Sequence, residues 1–287
     1  MPEPSFPPLE LLPDVLLFAV LPALIVSAGV ALAVAYFAGE KHGPFGAALG
    51  LAAGAALGFW LRGGLTWMPG SSSWNLLPWA ALAGLWLARS IRLADLPVIE
   101  GWLVRASLAA GGAWLIIPAA TRSEFVWLMP VFALVVLAEW FVLEYLAAQP
   151  PGGAVPFALS LSFFAASVIL VHAHTARLTE VATVLSSALA GVAAIAWWRR
   201  TDASSVAPAA ALLLPGVLLT GQQETFSEVP WQAFALIAGA PLMLAPTYFL
   251  RDWPPLWLRI IQLMLVLIPL AIAVFLAAQT TQPGDNW

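Results

Sequence analysis

The sequence predicts an all-α fold: a polytopic integral membrane bundle of about ten transmembrane helices. Three observations predict it. Of the 287 residues, 62% are hydrophobic and 9% are charged, whereas soluble domains are about 45–50% apolar and about 25% charged. A compact soluble fold of this length cannot hide that much apolar surface. Proline, glycine and polar clusters also cut the chain into about ten apolar stretches, most of them near the roughly 20 helical residues that cross a hydrocarbon core about 30 Å thick. Finally, no connection between stretches is long enough for a soluble domain, so residues 1–287 form a single transmembrane domain.

The opening MPEPSFPPLELL carries Glu3 and Glu10, with Asp14 just beyond, where a secretory signal needs Lys or Arg. Prolines at 2, 4, 7 and 8 fix φ and remove donors, which makes this an extended lead-in. The first span, 14–37, therefore stays in the mature protein. The second, 44–62, reads FGAALGLAAGAALGFW, with Gly46, Gly50, Gly54 and Gly58 every fourth residue. In lipid, a stripe without side chains lets a neighbouring backbone approach closely, and dispersion then supplies the packing energy. Packing within the chain is the first reading of this ridge. A homodimer face and a sliding surface in a transport cycle follow.

The third span, 75–89, is short and holds Pro78; the eighth, 204–220, holds Pro208 and Pro215. Both are expected to be tilted, broken or partly re-entrant. The fourth, 97–119, carries Glu100 and Arg105, and the fifth, 123–147, carries Glu139 and Glu144. Ionisable groups at bilayer depth are functional candidates by default. Counted from the shared end of these antiparallel neighbours, Arg105 and Glu139 lie at similar depth, roughly 10–14 Å at a rise of about 1.5 Å per residue. They are therefore expected to pair, because either charge alone would be uncompensated. A structural clasp is the first role for the pair and a substrate or proton site the second. Glu100 and Glu144 lie nearer the headgroups.

The sixth and seventh spans, 154–173 and 176–198, enclose VHAHTARLTE, with His172, His174, Arg177 and Glu180. Two histidines beside a glutamate suit Zn²⁺ chemically, yet i and i+2 of a helix point to different faces, so a solvated helix end is the preferred reading. No metal or cofactor is expected. The loop GQQETFSE, with Gln222, Gln223, Glu224 and Glu228, precedes the ninth span, 229–250, and reads as an exposed connection rather than an outer gate. The tenth span is 256–279.

Ten crossings with the N-terminus outside place Lys41, Arg89, Arg92, Arg199, Arg200, Arg251 and Arg259 inside, against Arg62, Arg122 and Arg177 outside. This satisfies the positive-inside rule and puts both termini outside a membrane expected to be the bacterial cytoplasmic one. Trp60, Trp67, Trp74 and Trp79, Trp197 and Trp198, and Trp253 and Trp257 cluster at the loops, as an interfacial aromatic belt does.

Split near Gln149–Gly153, the halves 10–149 and 150–281 repeat their helix breakers in order: Pro22 with Pro156, Gly54 with Ser187, Pro78 with Pro208, Pro97 with Pro230, Pro118 with Pro246. Arg122 aligns with Arg251, and Thr183, Ser187 and Gly191 echo the glycine ridge. Five spans per half would invert one half relative to the other, as in secondary transporters. In outline alone this resembles the drug/metabolite transporter superfamily. No sequence motif carries residues across, and the expected orientation of the N-terminus is opposite to that family's.

A net charge of −4 is too small to steer a macromolecular partner, and no basic face suits nucleic acid. The absence of cysteine removes disulfides, thiolate metal sites and thiol nucleophiles. HExxH, GxSxG and P-loop patterns are missing. The favoured function is a small-solute permease or secondary transporter using Arg105, Glu139, Glu100 and Glu144. The alternative is a structural or assembly subunit that packs against partner membrane proteins. A membrane enzyme acting on lipid-linked substrates ranks third.

Overall fold

The computed structural model describes residues 11–39, 42–62, 98–117, 126–148, 152–225, 228–250 and 253–280. Among these residues there is no β-strand, and eight helices are long and apolar enough to cross a bilayer. The chain is an all-α helical membrane bundle, and thus an integral membrane protein. The expected third span, Lys41, Arg89, Arg92, Arg122, Arg251, Trp67, Trp74, Trp79, Pro78, Pro97 and Pro118 lie outside the described residues.

The first span begins with a short helix, Leu11–Val15, and a π-helical turn, Leu16–Val20, and continues as α1, Leu21–Phe37. Next come α2, Gly43–Leu61, α3, Val98–Ile116, and α4, Leu128–Ala147. The second half holds α5, Ala154–His172, α6, Ala176–Arg199, and α7, Ala207–Glu224. The ninth span is composite: α8, Trp231–Gly239, runs directly into a 3₁₀ segment, Ala240–Leu250. The last helix is α9, Pro255–Thr280. α3 is a nineteen-residue helix, although Glu100 and Arg105 make it more polar than the others.

Local chemistry sets these boundaries. Prolines enter in the first turns of α1, α2 and α7, where the N–H they lack would have no helical partner. Gly39, His174 and Arg200 adopt left-handed φ values of 82°, 57° and 53° and stop α1, α5 and α6. After His174 and Arg200 the next N–H reaches back five residues, from Thr175 to Leu170 O at 3.0 Å and from Thr201 to Ala196 O at 3.1 Å, which closes the open helix carbonyls.

α1 and α2 pack with their backbones nearly touching. A Cβ on Gly50 would lie 2.6 Å from Ser27 O, and one on Gly54 2.5 Å from Ala23 O. Gly46 faces Ala31, whereas Gly58 abuts Val184 of α6. All four ridge glycines therefore face helices of the same chain. Gly191 of α6 closes on α1 at Leu24 and Ser27, so α1 is held between two glycine-bearing helices. The α5–α6 hairpin is fastened differently: Ser160 Oγ donates to Ser186 O and Ser186 Oγ donates to Ser160 O, each at 2.8 Å. Ser27 and Ser160, central in the two hairpins, stand 133 residues apart, and the helix-ending Gly39 and His174 stand 135 apart.

The helices alternate in direction. One end of the bundle, here the first end, gathers the C-termini of α1, α4 and α6 with the N-termini of α2, α3, α5, α7 and α9. It is tied together by Ala203 N–H to Ala147 O at 3.5 Å and by Ser205 Oγ–H to Pro44 O. α2 finishes at the second end, where Arg62 pairs with Glu180 of α6, whereas α3 starts at the first end. Residues 11 and 280 both lie at the second end.

Two expectations about punctuation change. The eighth span is a full 21 residues, Ser204–Glu224, because Pro208 sits at the helix start and Pro215 is accommodated inside. Gln222, Gln223 and Glu224 thus form the last helical turn of α7 rather than a loop, and Glu228 lies beyond it on an exposed stretch.

Candidate functional site

The polar groups of α3 and α4 meet, but not as expected. Arg105 Nη2 donates to Glu144 at 3.0 Å and 3.2 Å to its two carboxylate oxygens, and Glu139 does not take part. The reason lies in side-chain direction. A helical Cα–Cβ bond leans toward the helix N-terminus, so Arg105 leans toward the first end while Glu144, on the antiparallel α4, leans away from it. At about 1.5 Å per residue, Arg105 Cα lies roughly 10 Å inside the first end and Glu144 roughly 5 Å. The two leans close that gap. Glu139, nearly a turn and a half deeper on α4, leans further away still. Arg105 also lies over Trp102 at 5.7 Å and Trp140 at 6.0 Å, within cation–π range, and Trp102 stacks on Phe141 at 5.6 Å.

Glu139 is left as the unusual group of the structure. It is 0% exposed, and neither carboxylate oxygen has a hydrogen-bond partner among the described residues. It lies on the buried face of α4 with Phe132, Val136, Trp140 and Leu143, roughly 12 Å from the first end and so close to mid-depth. The indole N–H of Trp140, on the adjoining residue, is likewise buried and unpartnered. A carboxylate and an N–H with no hydrogen-bond partner among the described residues thus lie on successive residues of α4 at bilayer depth, where such groups normally find partners or serve a function.

The elements packed on α4 are irregular at the same level. α4 packs against α7 and the 3₁₀ segment as well as α3. Pro215 lies inside α7, roughly 12 Å from the first end, and removes one backbone bond there. The ninth span changes from α to 3₁₀ at Ala240, and the tight winding continues to Leu250 with Pro246 inside it. Runs of 3₁₀ helix beyond 3–4 residues are uncommon and often mark hinges. α3 and α7 run parallel and close: Gly112 faces Leu212, and Gly216 faces Ile116.

The other candidates are placed elsewhere. Glu100 is exposed in the first turn of α3 and does not join the cluster. His172 ends α5 and His174 forms the left-handed turn after it; among the described residues no three His, Cys, Asp or Glu side chains converge on a metal-sized site. Glu180 instead accepts from Arg62 and lies 3.6 Å from Arg177. The sequence reading missed the isolation of Glu139, the buried Trp140 N–H on the next residue and the long 3₁₀ run. Pro241 and Pro246 were the visible signal for the last of these.

Protein-family models give no match to the chain, and curated proteins give none either.

Proposed function

We propose that the chain is a small-solute permease of a bacterial cytoplasmic membrane, with Glu139 as the group that exchanges a proton or contacts the solute. The observation that carries this reading is a carboxyl with no exposure and no hydrogen-bond partner among the described residues, set at mid-depth between helices interrupted at the same level. Broken helices around a midplane polar group are the common build of secondary transporters. The Trp140 N–H is a second buried polar atom at that level with no hydrogen-bond partner among the described residues. Arg105 and Glu144 clasp α3 to α4 nearer the headgroups. The matched positions of Ser27 and Ser160, and of Gly39 and His174, support two related halves. The first end, with Arg199, Arg200 and Arg259, faces the cytoplasm under the positive-inside rule, and both termini face out.

The test is solute uptake into vesicles under an imposed pH gradient, comparing the wild type with E139Q across a panel of small polar solutes. Accumulation of at least one solute by the wild type, lost in a correctly folded E139Q, supports the reading. Equal uptake by both proteins contradicts it.

One observation favours a second reading, a structural or assembly subunit that binds partner membrane proteins or a second copy. The groove of about 150 Å³ in the bundle reaches neither Arg105 nor Glu139, and Glu139 is closed in on every side. Stoichiometric co-purification of another membrane protein, with no solute flux, would select that reading.

A further inference from the structure

The groove of about 150 Å³ lies near the first end between α5, α6, the 3₁₀ segment and α9. Phe157, Leu161, Leu244 and Leu263 line it, with Trp197 and Arg259 at its headgroup side. Its walls are almost entirely apolar. Gln262, the polar side chain within, is engaged, donating to Thr247 Oγ1 at 3.4 Å, and Thr247 in turn donates to Leu244 O at 2.7 Å. Apolar cavities of about this volume stay dry and accept hydrocarbon.

Arg259 is exposed and forms no ion pair among the described residues. Its guanidinium lies over the Trp197 ring at 5.8 Å, and Trp197 is itself braced by Phe157 at 5.5 Å. This cation–π contact holds the guanidinium beside the groove, and its planar fork of N–H donors can take two phosphate oxygens at once. Arg199 and Arg200 end α6 at the same level, and exposed Trp198, Trp253 and Trp257 ring it.

An apolar slot capped at headgroup height by an arginine with no ion pair among the described residues complements one molecule in both halves. We propose that this groove binds an anionic glycerophospholipid, with an acyl chain along Leu161 and Leu263 and the phosphate on Arg259. Basic pockets between membrane helices recognise such headgroups. The site is separate from Glu139 and stands whether or not the chain is a permease.

The experiment uses purified full-length protein in mixed micelles of dioleoylphosphatidylglycerol and dioleoylphosphatidylcholine, with retained lipid read by native mass spectrometry. Wild type retains the glycerol lipid in preference, and R259Q weakens that preference about fivefold, the effect of one arginine near an anionic headgroup. Leu263→Trp keeps the charge but fills the slot, and loses retention as well. Equal retention of both lipids by wild type overturns the proposal, as does an undiminished preference in R259Q. If R259Q fails to fold, Leu263→Trp decides alone: lost retention supports the site and unchanged retention overturns it. Displacement of the lipid by inorganic phosphate at equal concentration also overturns it, since the chain would then contribute nothing.

Discussion

Arg105 and Glu144 form the ion pair between α3 and α4, at 3.0 Å, and by pairing there they leave Glu139 alone in the core. The pair is partly open, with side-chain exposures of 16% and 31%, so its contribution is modest. A double-mutant cycle of R105Q with E144Q should give a coupling of about 0.5–1 kcal/mol. The cycle of R105Q with E139Q should give none within error. A larger coupling to Glu139 would mean that the arginine serves the deeper carboxylate.

The glycine ridge predicts a position-specific cost. Gly50→Ala places a Cβ 2.6 Å from a backbone oxygen of α1, an atom that moves only with its helix, and should destabilise by about 1–3 kcal/mol. Gly29→Ala, on the open face of α1 where nothing lies within 4 Å, should change stability by less than about 0.5 kcal/mol. Thermal unfolding in detergent measures both. Equal effects would show that α1 and α2 are not packed at this register.

The reciprocal serines of α5 and α6 should behave as a unit. S160A and S186A each remove one donor and should each cost about 0.6–2 kcal/mol. The double variant should cost less than the two together, because the hydroxyls also touch each other at 3.4 Å and either single loss already removes that shared contact. Strict additivity in unfolding titrations would show that the two bonds are independent.

Pro215 interrupts α7 at the level of Glu139. Pro215→Ala restores the missing N–H, so it should keep or raise the melting temperature while slowing solute flux. A variant with unchanged flux would remove the helix break from the working mechanism.

The bundle was legible because eight of the expected apolar runs match helices long enough to cross a bilayer. The expected span 154–173 is Ala154–His172 in the structure, and 176–198 is Ala176–Arg199. Gly46, Gly50 and Gly54 were readable as a contact stripe because absent side chains leave only backbone to touch. The pairing of Arg105 was not readable from depth alone. Counting Cα positions made Glu139 the level partner, whereas the N-terminal lean of both side chains selects Glu144. For His172 and His174 the sequence favoured a solvated helix end over a metal site, but its spacing does not reveal that His174 turns the chain at φ 57°. The 3₁₀ run from Ala240 to Leu250 was signalled only by Pro241 and Pro246, since its apolar composition is that of any spanning helix.

Infrared difference spectroscopy on the reconstituted protein, exchanged between acidic and alkaline buffer, probes Glu139 most directly. The account predicts a protonated-carboxyl C=O band that changes with the exchange and is missing from the E139Q difference spectrum, while E144Q retains it. An E139Q spectrum indistinguishable from wild type would contradict the assignment of Glu139 as the exchanging group.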